Sequence, residues 1–150
     1  MKKPLDFYSY IVSEETHPDG TVIVKENSYG NWMYIILEGR AKVKKKTPKG
    51  EILIDYLEEG SVFGKTGLVF SNFEAQRNTS LIADGPVTLG VLDIKKLDND
   101  WIALSSSLRS LLTCLIKKRQ EALSTVISMS EDLYRKIKEV KNTESSANKS

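Results

Sequence analysis

The 150-residue sequence holds one cysteine and one histidine, and each scarcity removes a class of chemistry. Cys114 alone excludes an intrachain disulfide and a cysteine-bound metal cluster. His17 alone leaves no histidine cluster for a metal ion and no second histidine to activate a serine or cysteine nucleophile. No apolar run approaches the roughly 20 residues that a membrane-spanning helix needs. Met1-Lys2-Lys3 leads into Pro4 and Asp6, which is not the apolar segment of a signal peptide. Lys+Arg (22) exceed Asp+Glu (20) by only two, so bulk charge gives no reason to expect nucleic-acid binding. The 40% apolar fraction excludes wholesale disorder. These absences leave a soluble, cytoplasmic, non-catalytic single domain as the expectation, with no metal or cofactor and no membrane attachment.

What the sequence does have is a change of texture. From about Tyr8 to Asp93, Val, Ile, Tyr and Phe come in short runs cut by glycine and proline, the pattern of an all-β sandwich or barrel. Candidate strands are Thr21–Lys25, Met33–Glu38, Ala41–Lys46, Glu51–Leu57, Asn78–Ala83 and Val87–Leu92. Pro18-Asp19-Gly20, Glu38-Gly39, Thr47-Pro48-Lys49-Gly50 and Asp84-Gly85-Pro86 supply the turn chemistry between them. From about Ile94 to Ile127 the turn-formers vanish and leucines recur at three- and four-residue spacings, which predicts a long helix. Leu112, Leu115, Ala122, Val126, Met129 and Leu133 also fit a coiled-coil register, with Arg119 at an a position. That apolar side packs either on the β domain or against a second subunit. Glu131–Val140 reads as a helical extension, and the polar Lys141–Ser150 as a frayed tail.

Several motifs are set aside on their chemistry. Gly64-Lys65-Thr66 is not a nucleotide P-loop, because the glycine required five residues upstream is Glu59. His17, beside Pro18, reads as a solvated turn residue, and Cys114 as a small core residue. Lys42, Lys44, Lys45, Lys46 and Lys49 read as a solvated hairpin tip. No further helical module follows the long helix to form a helix-turn-helix, so direct DNA contact is not expected.

One constellation stands out. Gly30-Asn31-Trp32-Met33-Tyr34-Ile35-Ile36-Leu37-Glu38-Gly39 joins a turn, a buried strand and a second turn. Leu57-Glu58-Glu59-Gly60-Ser61-Val62-Phe63-Gly64 and Arg77-Asn78-Thr79-Ser80 follow. A glycine for close backbone approach, free N–H groups and a nearby arginine together make an anion cradle. In these residues, and in Gly20-Thr21-Val22-Ile23 before them, the chain resembles the cyclic nucleotide-binding domain family over about Tyr10 to Ile127. That family includes catabolite-activator-type regulators, regulatory subunits of cyclic-nucleotide-dependent kinases and gated channels.

The resemblance implies a mainly β fold, an antiparallel, jelly-roll-like β-roll over 10–93 followed by a long helix over 94–127. The domain would span 8–130, with a helical extension over 131–140 and a disordered tail over 141–150. It implies a phosphate-binding cassette over Phe63–Ser80, whose ligand-binding candidates are Phe63, Gly64, Lys65, Thr66, Gly67, Arg77, Asn78 and Thr79. Arg77 matches the arginine that pairs with the cyclic phosphate. Lys65 stands where a glutamate accepts from the ribose 2′-OH; lysine has donors only, and its charge favours a more anionic ligand. Asn78 stands where small residues are common, yet it still donates to an anion. Thr113 and Thr125 are candidates for base contact on the long helix.

The implied function is a regulatory sensor of cAMP, cGMP or a related small anion. It would relay occupancy through the C-terminal helix to a separate output protein, and that helix would also offer a homodimer surface. The alternative is a ligand-free dimerisation or protein-interaction module with a defunct pocket. A metal-bearing barrel enzyme is a third reading, which the missing histidines disfavour.

Overall fold

Turn chemistry and β-branched runs give the chain its strands, and a computed structural model describes residues 7–30, 32–48, 50–64 and 79–149. Among the described residues a short 3-10 turn, Tyr8–Tyr10, precedes β1 (Ile11–His17), β2 (Val22–Val24), β3 (Tyr34–Glu38) and β4 (Ala41–Thr47). β5 (Gly50–Leu57), β6 (Val62–Phe63), β7 (Ser80–Ala83) and β8 (Val87–Leu92) follow, then α1 (Ile94–Ala103) and α2 (Ser106–Ala147). The strands form two antiparallel sheets, ordered β1-β8-β3-β6 and β2-β7-β4-β5. This is the expected β-roll followed by a long helix.

The core follows from strand alternation. Ile36, Val43, Leu81, Ala83, Val87 and Leu89 fill the space between the sheets, with Tyr34 and Phe63 packed against them. Met33, just before β3, and Ile35 within it turn the other way and join Leu92 beneath Tyr10, Ile94 and Leu97. β3 is therefore buried on both faces, which explains why its sequence is a continuous apolar run.

All six expected strands are present, five of them within one residue of their expected ends; Asn78, where the strand ending at Ala83 was expected to begin, lies outside the described residues. β1 and β6 were not among the expected strands. β1 carries Ser-Glu-Glu-Thr on an exposed edge and is held by pairing with β8, so no apolar alternation marks it. β6 is two residues long, paired with β3. The helical limits also differ. Asp93 caps α1 by accepting from the Lys96 N–H at 3.0 Å. Extended backbone at Leu104 then ends that helix, and Ser105 caps α2. α2 continues through Ser128–Ser130 to Ala147, including most of the segment expected to fray. There the Thr143 and Ser146 hydroxyls donate to the carbonyls of Glu139 and Asn142, so these polar side chains find partners on the helix itself. No helix among the described residues is long and apolar enough to cross a membrane.

Three local expectations are corrected. Cys114 is exposed on α2, not in the core. His17 ends β1, with Nε2 3.2 Å from Glu15, instead of sitting in a turn. The lysines of β4 are not merely solvated: Lys42 pairs with Asp84 at 3.3 Å, Lys44 with Glu51 at 2.9 Å and Lys45 with Glu26 at 2.8 Å. Strand pairing brings each acid to its lysine, a proximity invisible in a local charge count. Lys49 lies outside the described residues.

Candidate functional site

The site is built from two anchored ends of one segment and a helix laid across them. The leading end is strapped to β3. Glu58–Ser61 forms a turn closed by the Ser61 N–H donating to Glu58 O at 2.9 Å. That turn is tied to Ile36 by bonds of 2.9 Å and 2.8 Å, which feeds β6 into register with β3. Gly64 follows at φ +143°, and a Cβ there would meet Met33 Cγ at 2.9 Å and Met33 Cα at 3.0 Å. Only glycine lets the chain pass β3 this closely.

The trailing end is held by the backbone of Glu26, whose buried carboxylate is itself anchored on β4. The Glu26 N–H donates to Ser80 Oγ at 2.9 Å, while the Glu26 carboxylate accepts from Lys45 Nζ at 2.8 Å and the Lys46 N–H at 2.7 Å. Burial raises the Glu26 pKa, but the hydrogen bonds and charge of Lys45 and Lys46 outweigh it, and the net shift is downward. Glu26 thus ties β2, β4 and the start of β7 together beside Thr79.

Between these ends and α2 lies a cleft of about 320 Å³. Its β wall is Val43, Ile54, Asp55, Leu57, Val62, Phe63, Gly64 and Thr79, and its helical wall is Arg119, Gln120, Leu123, Ser124 and Ile127. Of the sequence candidates, Phe63, Gly64 and Thr79 are brought together here. Lys65, Thr66, Gly67, Arg77 and Asn78 lie outside the described residues. Thr113 and Thr125 do not line the cleft; their hydroxyls donate to Arg109 O at 2.7 Å and Glu121 O at 3.0 Å on their own helix.

Sequence reasoning expected Leu108–Ile127 to form a lid over the site but missed Asp55 and singled out as site residues none of the helical residues that line the cleft. Arg119 read as an interruption of a coiled-coil seam, although it also follows Leu112 and Ile116 at helical spacing. The half-buried residues of α2, including Leu112, Ile116, Ile127 and Tyr134, mark the face turned to the β-roll. Leu111, Leu115, Val126, Met129, Leu133 and Val140 are exposed and form a second stripe. At about 100° per residue the two stripes lie roughly 110° apart, with Arg119 at their border.

Residues 14–99, more than half of the chain, match the family model of the cyclic nucleotide-binding domain. The chain belongs to that family. Cyclic nucleotide-gated channel beta-3 of Canis lupus familiaris is 29% identical over 109 residues, which cover 71% of this chain and 14% of the channel. The regulatory domain of Toxoplasma gondii PKA, co-crystallised with cAMP, is 30% identical with a TM-score of 0.53, covering 72% of this chain and 38% of that one. The cGMP-bound form of the EAL enzyme Bd1971 shares the fold, with a TM-score of 0.62 at 20% identity over 87% of this chain and 34% of that one. This chain therefore spans only a minor part of each of these proteins. The cleft under α2 is lined by Phe63 and Gly64 on one side of residues 65–78 and by Thr79 on the other.

Proposed function

We propose that this chain is a regulatory sensor module that binds a cyclic nucleotide in the cleft under α2 and relays occupancy by moving that helix. The observation that carries the reading is the cleft itself. Its volume of about 320 Å³ falls in the small-molecule range, and it lies between the two cassette ends and a helical lid in a chain of this family. The phosphate would rest against the segment between Gly64 and Thr79, with Arg77 as its counter-charge and cassette N–H groups as donors. The sugar and base would extend between Leu57, Val62 and the helical wall. None of these roles requires catalysis.

The lid is suited to a relay. No residue of α2 is buried, so the helix is held by half-buried contacts that a ligand can strengthen or weaken. The exposed stripe through Leu115, Val126, Met129 and Leu133 would seat a second copy of the chain, leaving the lid face free. An output protein would read the position of α2. The same stripe favours a second reading, a dimerisation module that has lost its ligand.

Calorimetric titration of the chain with cAMP and cGMP decides between them. Saturable binding is expected, with Arg77→Ala weakening it roughly 10- to 100-fold, the scale of a lost charged hydrogen bond. Lys65→Glu restores a 2′-OH acceptor and is expected to tighten binding by a similar factor. Absence of heat for the wild type and for Lys65→Glu would leave the dimerisation module as the reading.

A further inference from the structure

Two charged side chains, Asp55 and Arg119, line the cleft. Asp55 lies on β5 and Arg119 on α2, so they stand on opposite walls of one cavity. Asp55 Oδ1 accepts from the adjacent Tyr56 N–H at 2.8 Å, which leaves Oδ2 without a bond to that amide, and the residue lines the cleft. Arg119 has no hydrogen-bonded or ion-paired side-chain partner among the described residues. We propose that Asp55 and Arg119 read the base, and that the cleft prefers cGMP to cAMP.

This inference rests on the nucleotide-binding reading and deepens it. Guanine offers two acceptors, O6 and N7, on one edge, and arginine's fork matches that pair. Its N1–H and 2-amino group are adjacent donors, which suit a carboxylate because an ionised carboxylate only accepts. Adenine presents the opposite pattern: its 6-amino group would face the Arg119 donors, and its bare N1 would face the Asp55 acceptor. Both walls would then oppose like to like. Of the remaining helical contacts, Leu123 and Ile127 are apolar and tolerate either ring, while Gln120 and Ser124 each carry both a donor and an acceptor and so suit either ring. Selectivity thus falls to the two charged groups.

The test is titration of the full chain with cGMP, cAMP and cyclic inosine monophosphate, which keeps O6, N7 and N1–H but lacks the 2-amino group. Wild-type protein is expected to bind cGMP roughly 10-fold or more tightly than cAMP, with the inosine nucleotide between them. Asp55→Asn retains an oxygen for the Tyr56 N–H and is expected to bring cGMP and the inosine nucleotide to equal affinity. Arg119→Ala is expected to lower affinity for both of these and spare cAMP. Thermal melting of each variant separates loss of fold from loss of contact. Equal wild-type affinity for cGMP and cAMP, or variants that weaken all three ligands alike, would overturn the base assignment while leaving nucleotide binding standing. If neither the wild type nor Lys65→Glu binds any of the three, the binding reading fails and this assignment falls with it; if only Lys65→Glu binds, the same preference for cGMP is expected in that background.

Discussion

Glu26 shows how one residue governs a site it does not line. Its side chain is 5% exposed, yet it stays ionised because Lys45 and the Lys46 N–H both serve it. A buried charge is tolerated only with such partners, and removing one leaves the other uncompensated. Glu26→Gln is therefore expected to cost about 1–3 kcal/mol in urea unfolding. The pH dependence follows from the downward shift. Because the folded-state pKa lies below the unfolded one, the stabilisation is present at neutral pH and is lost as pH falls through the carboxylate range. Wild-type stability should fall on acidification below about pH 4.5, and Glu26→Gln should flatten that part of the profile. A mutant profile parallel to the wild type would place the acid sensitivity elsewhere.

At the scale of elements, α2 is the part whose placement matters most and whose anchorage is slightest. Its cleft-lining residues 119–127 lie by the Ile54–Leu57 end of β5, and Tyr134 lies over Gly50 at the other end. The helix therefore runs antiparallel to β5. Gly50 has φ +132°, and a Cβ there would come within 2.8 Å of Tyr134 Oη. Gly50→Ala is expected to strain the hairpin backbone and push the Tyr134 hydroxyl aside, loosening α2 where that ring rests on the β4–β5 hairpin. Hydrogen exchange of α2 amides around Tyr134 should accelerate at least several-fold, while β3 and β8 amides stay protected. Unchanged exchange in α2 would show that Tyr134 yields without moving the helix. By contrast β3, buried on both faces, belongs to the rigid frame that positions Gly64.

The whole molecule is a β-roll with a 42-residue helix, about 63 Å long, that outruns it. Leu115, Val126, Met129, Leu133 and Val140 are each 47% exposed or more, an apolar stripe that a solvated helix does not need. Sedimentation equilibrium is expected to show a concentration-dependent dimer for the wild type. Val126→Asp combined with Leu133→Asp should shift it to monomer while leaving the β-roll folded by circular dichroism. A wild type that remains monomeric at high micromolar concentration would remove the second copy from the proposed function.

The sequence alone determined the strands with alternating or continuous apolar runs, the turns between them, the helical C-terminal part and the family. All of these rest on local chemistry: period-2 and period-3.6 patterns, glycine and proline, and linked motifs. Phe63, Gly64 and Thr79, which line the cleft, were legible as candidates because they sit within such a motif. Asp55 and Arg119 were not, since they are 64 positions apart in the chain and meet only when α2 folds back along β5. The exposed edge strand β1, the ion-paired lysines of β4 and the solvent-facing Cys114 were decided by tertiary structure for the same reason. Pairing, burial and facing are relations between distant segments, and no local window of residues contains them.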